Sequence, residues 1–149
     1  MTLLVLQLNI DKYISDSIKH FKDKADHNKA EALWSFRIIM ISSLATPLLI
    51  SLNDDNFWGK VVPAILSSFV ALGTTWLQKR QPQQLWKLYR SSQRKIEIEE
   101  TSYRFEVDDY ENVSDKEKLL VKRINQIKLD AHNSWESLVP APTKDKSKS

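Results

Sequence analysis

The chain has 149 residues, 28% of them charged, with a formal net charge of +3 and no cysteine. That length allows one compact unit, and the missing thiols exclude disulfides, thiolate metal sites and a cysteine nucleophile. Two glycines in the whole chain exclude a Gly-rich phosphate loop, and so small a net charge offers no broad nucleic-acid footprint.

The first ten residues, MTLLVLQLNI, lack a basic region, and their apolar run is short for a signal peptide. Residues 9–32 read as an amphipathic helix, because Ile10, Ile14, Ile18, Phe21, Ala25 and Ala32 recur at steps of three, four or seven. This helix either runs on or breaks near residues 26–28.

Two apolar stretches follow, 33–52 (LWSFRIIMISSLATPLLISL) and 61–77 (VVPAILSSFVALGTTWL), joined by a connector that permits only a tight reversal. At about 1.5 Å per residue, about 20 helical residues cover a hydrocarbon core of about 30 Å. Phe57, Trp58 and Trp76 extend the shorter stretch into both interfaces. From Ile38 to Leu77 the ionisable residues are Asp54, Asp55 and Lys60, all in or beside the connector. A buried helix of a soluble bundle would show a polar face instead. The pattern predicts a transmembrane helical hairpin.

Lys19, Lys22, Lys24 and Lys29 precede the first stretch, and Lys79, Arg80, Lys87, Arg90, Arg94 and Lys95 follow the second. The connector carries Lys60 against two aspartates. By the positive-inside rule both termini are cytoplasmic, and anionic lipid headgroups account for the flanks better than nucleic acid does. Arg37, one turn inside the first stretch, can snorkel to the headgroups. Pro47 should kink the first helix, whereas Pro63 falls in a first turn, where proline is tolerated.

Each stretch carries a stripe. On the first, Ser35, Ser42, Thr46 and Asn53 fall within roughly 60° of helical arc. On the second, Lys60, Ala64, Ser67, Ala71, Thr74 and Gln78 form a continuous run of small and polar residues. Such stripes serve either close helix packing or the lining of an aqueous path in an oligomer.

After Pro82, Trp86, Tyr89, Gln93, Ile96, Glu100, Tyr103, Val107 and Tyr110 alternate steps of three and four. This heptad-spaced seam predicts a helix over about 83–111 that either forms an intermolecular coiled coil or packs on its own neighbour. Basic residues 87–95 lie near the membrane end and acidic residues 97–111 far from it. Ser114 with Glu117 spells a capping box for a helix over about 115–138, whose apolar face is Leu120, Ile124, Ile127, Ala131 and Trp135. Residues 139–149 read as a disordered tail.

No catalytic constellation, cofactor motif or metal site emerges. His20 and His27 lie about 10 Å apart on a helix, too far to share a metal unaided, and His132 sits in no motif.

The hairpin together with Trp86, Tyr89, Arg90, Ile96, Glu99, Tyr103 and Tyr110, spaced W-x-x-YR-x5-I-x-x-E-x3-Y-x6-Y, resembles the SLATT family. These are two-transmembrane effector domains associated with nucleotide-signalling bacterial conflict systems. The resemblance covers residues 11–138, with Arg94 standing where an acidic residue is expected. It implies a pore-forming or membrane-perturbing effector in the bacterial inner membrane, acting after a separate sensor or signalling protein fires.

The expectation is therefore an all-α membrane protein formed as one domain over residues 1–138. It has a two-helix transmembrane hairpin, an amphipathic N-terminal helix and a cytoplasmic C-terminal helical hairpin. Its partners are the lipid bilayer and further copies of itself, with no nucleic acid and no enzymatic activity. The alternative is a membrane-anchored scaffold that recruits a partner through its cytoplasmic helices.

Overall fold

The computed structural model describes residues 2–52 and 55–139, with side chains from Gln7 onward. Apart from Val139, the expected disordered tail lies outside the described residues, as do Asn53 and Asp54 of the connector. Among the described residues the fold is entirely helical. Helix α1 spans Thr2–Leu52, α2 Val62–Arg80, α3 Pro82–Phe105 and α4 Lys116–Leu138. A π-helical turn, Phe57–Val61, leads into α2, and a 3-10 turn, Asp108–Tyr110, lies between α3 and α4.

The amphipathic lead-in and the first apolar stretch form one uninterrupted helix. There is no break near residues 26–28, and α1 continues through Pro47. Asp26, His27 and Asn28 are weak helix formers, but Lys29, Ala30, Glu31, Ala32 and Leu33 after them are strong ones, and neither glycine nor proline interrupts the junction. Pro63 sits in the first turn of α2, where its missing N–H is not needed.

The described residues fall into two compact units. One holds residues 2–27 and 84–139, the other residues 28–52 and 55–83. The first is a helical bundle in which the N-terminal part of α1 packs with α3 and α4. Its core contains Ile14, Phe21, Ile96, Tyr110, Leu120 and Ile124, all buried. Burying such a side chain contributes about 1.5–3 kcal/mol, so this core is the main source of the bundle's stability.

Helix α3 ends at Phe105, six residues short of the span expected from the seam. Glu106 adopts a left-handed conformation (φ 55°). Its N–H donates to Tyr103 O at 3.4 Å, while Val107 N–H donates to Ser102 O at 3.1 Å. That pair of bonds is a Schellman termination, formed here without the usual glycine. The 3-10 turn is held by Ser102 Oγ donating to Asp108 Oδ2 at 3.2 Å and by the pairing of Arg123 with Asp109. The cap of α4 is Asp115 rather than the expected Ser114: its side chain accepts from Lys118 N–H at 3.2 Å. An ionised acceptor at this position also complements the helix dipole.

The second unit is the hairpin of α1 from Asn28 with the π-turn and α2. Among its described residues no large hydrophobic side chain is fully buried. Large hydrophobics cover its outside, among them Ile41 at 65% exposure, Phe69 at 66% and Leu72 at 69%. Both apolar stretches are long and apolar enough to cross a membrane, and no residue in the apolar window of the first is buried. A soluble bundle would bury those side chains, so the alternative of two central core helices has no support in this fold.

Candidate functional site

The facing surfaces of the hairpin mix small side chains with branched aliphatic ones. On α1, Ala32, Ser35, Ile39, Ser42, Ala45, Thr46 and Leu49 are buried or half-buried, and on α2 so are Pro63, Leu66, Val70, Gly73 and Leu77. An open groove along one edge of this contact is lined by Ser35, Ile39, Ser42, Leu66 and Gly73 and rimmed by the exposed Ile38, Phe69, Leu72 and Trp76. Ser35, Ser42 and Thr46 therefore lie on the side of α1 that meets α2. Asn53, the last member of that stripe, lies outside the described residues.

The second stripe lies elsewhere. Lys60, Ala64, Ser67, Ala71, Thr74 and Gln78 are all exposed. At 100° per residue their mean direction is roughly 110° around α2 from the seam that meets α1. The two stripes thus occupy different environments: one inside the hairpin, the other outside it.

One threonine hydroxyl in each stripe is satisfied along its own helix. Thr46 Oγ1 donates to Ser42 O at 2.8 Å and Thr74 Oγ1 to Val70 O at 2.7 Å. Outside the stripe, Thr75 Oγ1 donates to Ala71 O at 2.9 Å. A helix whose hydroxyls bond back this way tolerates apolar surroundings, and each hydroxyl oxygen can still accept a bond from water or a neighbouring helix.

Two features of the hairpin went unread in the sequence. Arg80 Nε stands 3.1 Å from Glu31 Oε1 and joins the start of one apolar stretch to the end of the other. The sequence marks Arg80 as a flank charge, and Glu31, an acid just before the first stretch, is the signal for its partner. The second feature is Gly73 in the α2 seam. Both glycines of the chain, Gly59 and Gly73, fall in the hairpin unit, which is where close helix approach would demand them.

The α3 seam is divided by the structure. Tyr89, Gln93 and Ile96 are buried and Trp86, Glu100 and Tyr103 half-buried within one chain. Val107 lies beyond the helix and is exposed. Tyr110, also beyond the helix, returns to the core through the 3-10 turn. Its ring meets Tyr103 edge-on at 5.9 Å, and its hydroxyl donates to Glu99 Oε2 at 2.9 Å. Burial first, and then the Glu99 carboxylate, push the Tyr110 hydroxyl well above its ordinary pKa. Gln93 joins a chain of polar contacts, accepting from Arg90 at 2.8 Å and donating to Glu97 at 2.7 Å. Arg94, the departure from the SLATT pattern, is exposed and 3.9 Å from Glu97.

A family profile described as "Protein of unknown function (DUF4231)" matches residues 16–118. The chain belongs to the DUF4231 family. The matched segment takes in the hairpin, both stripes, the Glu31–Arg80 pair and the whole α3 seam. Most of α4 lies beyond the match. No curated protein and no solved structure matches the chain. Among the described residues no group of three or more His, Asp or Glu could hold a metal ion.

Proposed function

We propose that the chain is an oligomeric membrane effector, pore-forming or membrane-perturbing, in a bacterial defence or conflict system, as its resemblance to the SLATT family implies. In this reading residues 33–52 and 61–77 cross the bacterial inner membrane as a hairpin with both termini cytoplasmic. The lysine- and arginine-rich flanks and the near-neutral connector support that orientation. A separate sensor or signalling protein supplies the trigger.

The observation that carries the reading is the outward stripe of α2. One side of that helix presents Ile65, Phe69, Leu72 and Trp76, which suit lipid. Another presents Ala64, Ser67, Ala71 and Thr74, exposed although the helix is already paired with α1. Small and polar groups on a lipid-facing helix suit a neighbouring copy or a column of water. Two helices cannot enclose a path, so conduction requires several copies.

Exposed apolar side chains on the bundle, Phe105, Leu8 and Ile98 above all, favour a second reading: a membrane-anchored scaffold that recruits a partner. Reconstituting the purified chain in lipid vesicles separates the two. The effector reading expects several copies per particle and ion or dye leakage. A monomer, or a stable oligomer without leakage that captures a partner, would favour the scaffold.

A further inference from the structure

The helical bundle carries a cleft of about 680 Å³ between the N-terminal part of α1, Tyr89 of α3 and the last turns of α4. That volume suits a small organic ligand. Its floor is apolar and well buried, with Phe21 at 5%, Ala131 at 5% and Tyr89 at 9% exposure. Trp135 stands at its edge, stacked on His132 with ring centroids 6.1 Å apart.

Charge in the cleft is mainly cationic. Lys24 and Lys128 line it against one lining carboxylate, Asp16, and the imidazoles of His20 and His132 add further polar groups. Glu136, which pairs with His132 at 3.3 Å, lies outside the lining. Lys128 is half-buried, and its ammonium lies 4.2 Å over the ring of Tyr13. It donates to Tyr13 Oη at 3.0 Å, and Tyr13 Oη in turn donates to Asn125 Oδ1 at 2.7 Å. Among the described residues no carboxylate lies within ion-pairing distance of Lys128. A half-buried cation held in place by neutral groups alone is poised for an anion that the chain itself does not supply. Lys24 lies over the Tyr89 ring at 5.4 Å in the same cleft.

We propose that this cleft binds a small anion bearing a planar ring, the ring against Phe21, Tyr89 and Trp135 and the phosphate or carboxylate on Lys128 and Lys24. Aromatic walls bury the ring, and the two ammoniums fix the anionic end, which is the division of labour of small-molecule sites. His20, whose pKa is lowered by burial and then by Lys24 and Lys128, senses the same positive field. Every residue lining the site belongs to the bundle unit.

Calorimetry on the full chain in zwitterionic nanodiscs tests this with 1-naphthyl phosphate as probe and protein-free discs as blank. The expected result is saturation at one site per chain, with inorganic phosphate binding at least about tenfold more weakly for want of the ring. Lys128→Gln and Trp135→Leu should each raise Kd about tenfold or more. Lys128→Arg should stay near wild type, and Lys122→Gln, outside the cleft, should have no effect. If Lys128→Gln lowers the melting temperature, Lys24→Gln on an exposed position of α1 reads the same charge. No saturable binding, equal binding of inorganic phosphate, or wild-type affinity in folded Lys24→Gln and Lys128→Gln would overturn the proposal.

Discussion

Gly73 of α2 lies directly against Ile39 of α1: a β-carbon at Gly73 would stand 3.3 Å from Ile39 Cγ1 and 3.4 Å from its Cδ1. The hairpin closes because nothing projects there. Gly73→Ala should be accommodated by a few tenths of an ångström of movement at the flexible end of Ile39. Gly73→Leu has no such escape and should cost about 1–3 kcal/mol through overpacking. Unfolding of both variants in detergent, followed by circular dichroism, checks this; equal stability of Gly73→Leu and wild type would show that the helices do not meet at that point.

Removing the Tyr110 hydroxyl leaves the Glu99 carboxylate without the donor that now reaches it at 2.9 Å. Tyr110→Phe should therefore destabilise the bundle by about 1–3 kcal/mol. The pH dependence has a definite sign. The folded pKa of Tyr110 is raised above the unfolded value of 10.0. Its contribution is complete below pH 10 and declines as pH rises through the interval up to the folded pKa. Thermal melts between pH 8 and 11 should show wild type losing stability at the alkaline end and Tyr110→Phe losing less.

Ile96 and Val107 share a heptad register and differ in fate. Ile96 is fully buried in the bundle core, while Val107 is 46% exposed. Ile96→Ala should cost about 2–5 kcal/mol, and Val107→Asp should lie within about 0.5 kcal/mol of wild type. Urea unfolding of the two variants measures the difference. A large loss from Val107→Asp would place that residue in a contact with another chain.

The same pair shows what the sequence could and could not reveal. Helical content, the two apolar stretches and the apolar faces of the bundle were legible, because period and hydropathy are local properties. The end of α3 was not. Its seam spacing continues unbroken to Tyr110, and the stop comes from a left-handed Glu106, a residue with no special preference for that conformation. The Asp115 cap lay one residue from the Ser114 motif, an offset that spacing alone does not resolve. Of the hairpin, both stripes were legible as patterns, but their assignment was not. Which side of α2 meets α1 depends on Gly73 and Leu66, long-range contacts with no local signature. The cleft was invisible for the same reason: Lys24 and Lys128 are about a hundred residues apart in the chain.

Orientation can be read by labelling single cysteines in a chain that has none of its own. Ser15, Ser91 and Asn56 are exposed positions, whereas Ser92 is buried and unsuited to this use. In intact cells an impermeant maleimide should label Asn56→Cys and leave Ser15→Cys and Ser91→Cys unmodified until the membrane is opened. External labelling of Ser91→Cys would reverse the topology.

The central claim meets its most direct test at Thr74, which is exposed on the outward stripe of α2. The measurement is the ion conductance of vesicles carrying Thr74→Cys, before and after a small positively charged thiol reagent. The account expects a conducting oligomer whose cation current falls on modification, while Phe69→Cys on the lipid side changes little. Intact oligomers that pass no ions, or that conduct unchanged with Thr74→Cys fully modified, would contradict it.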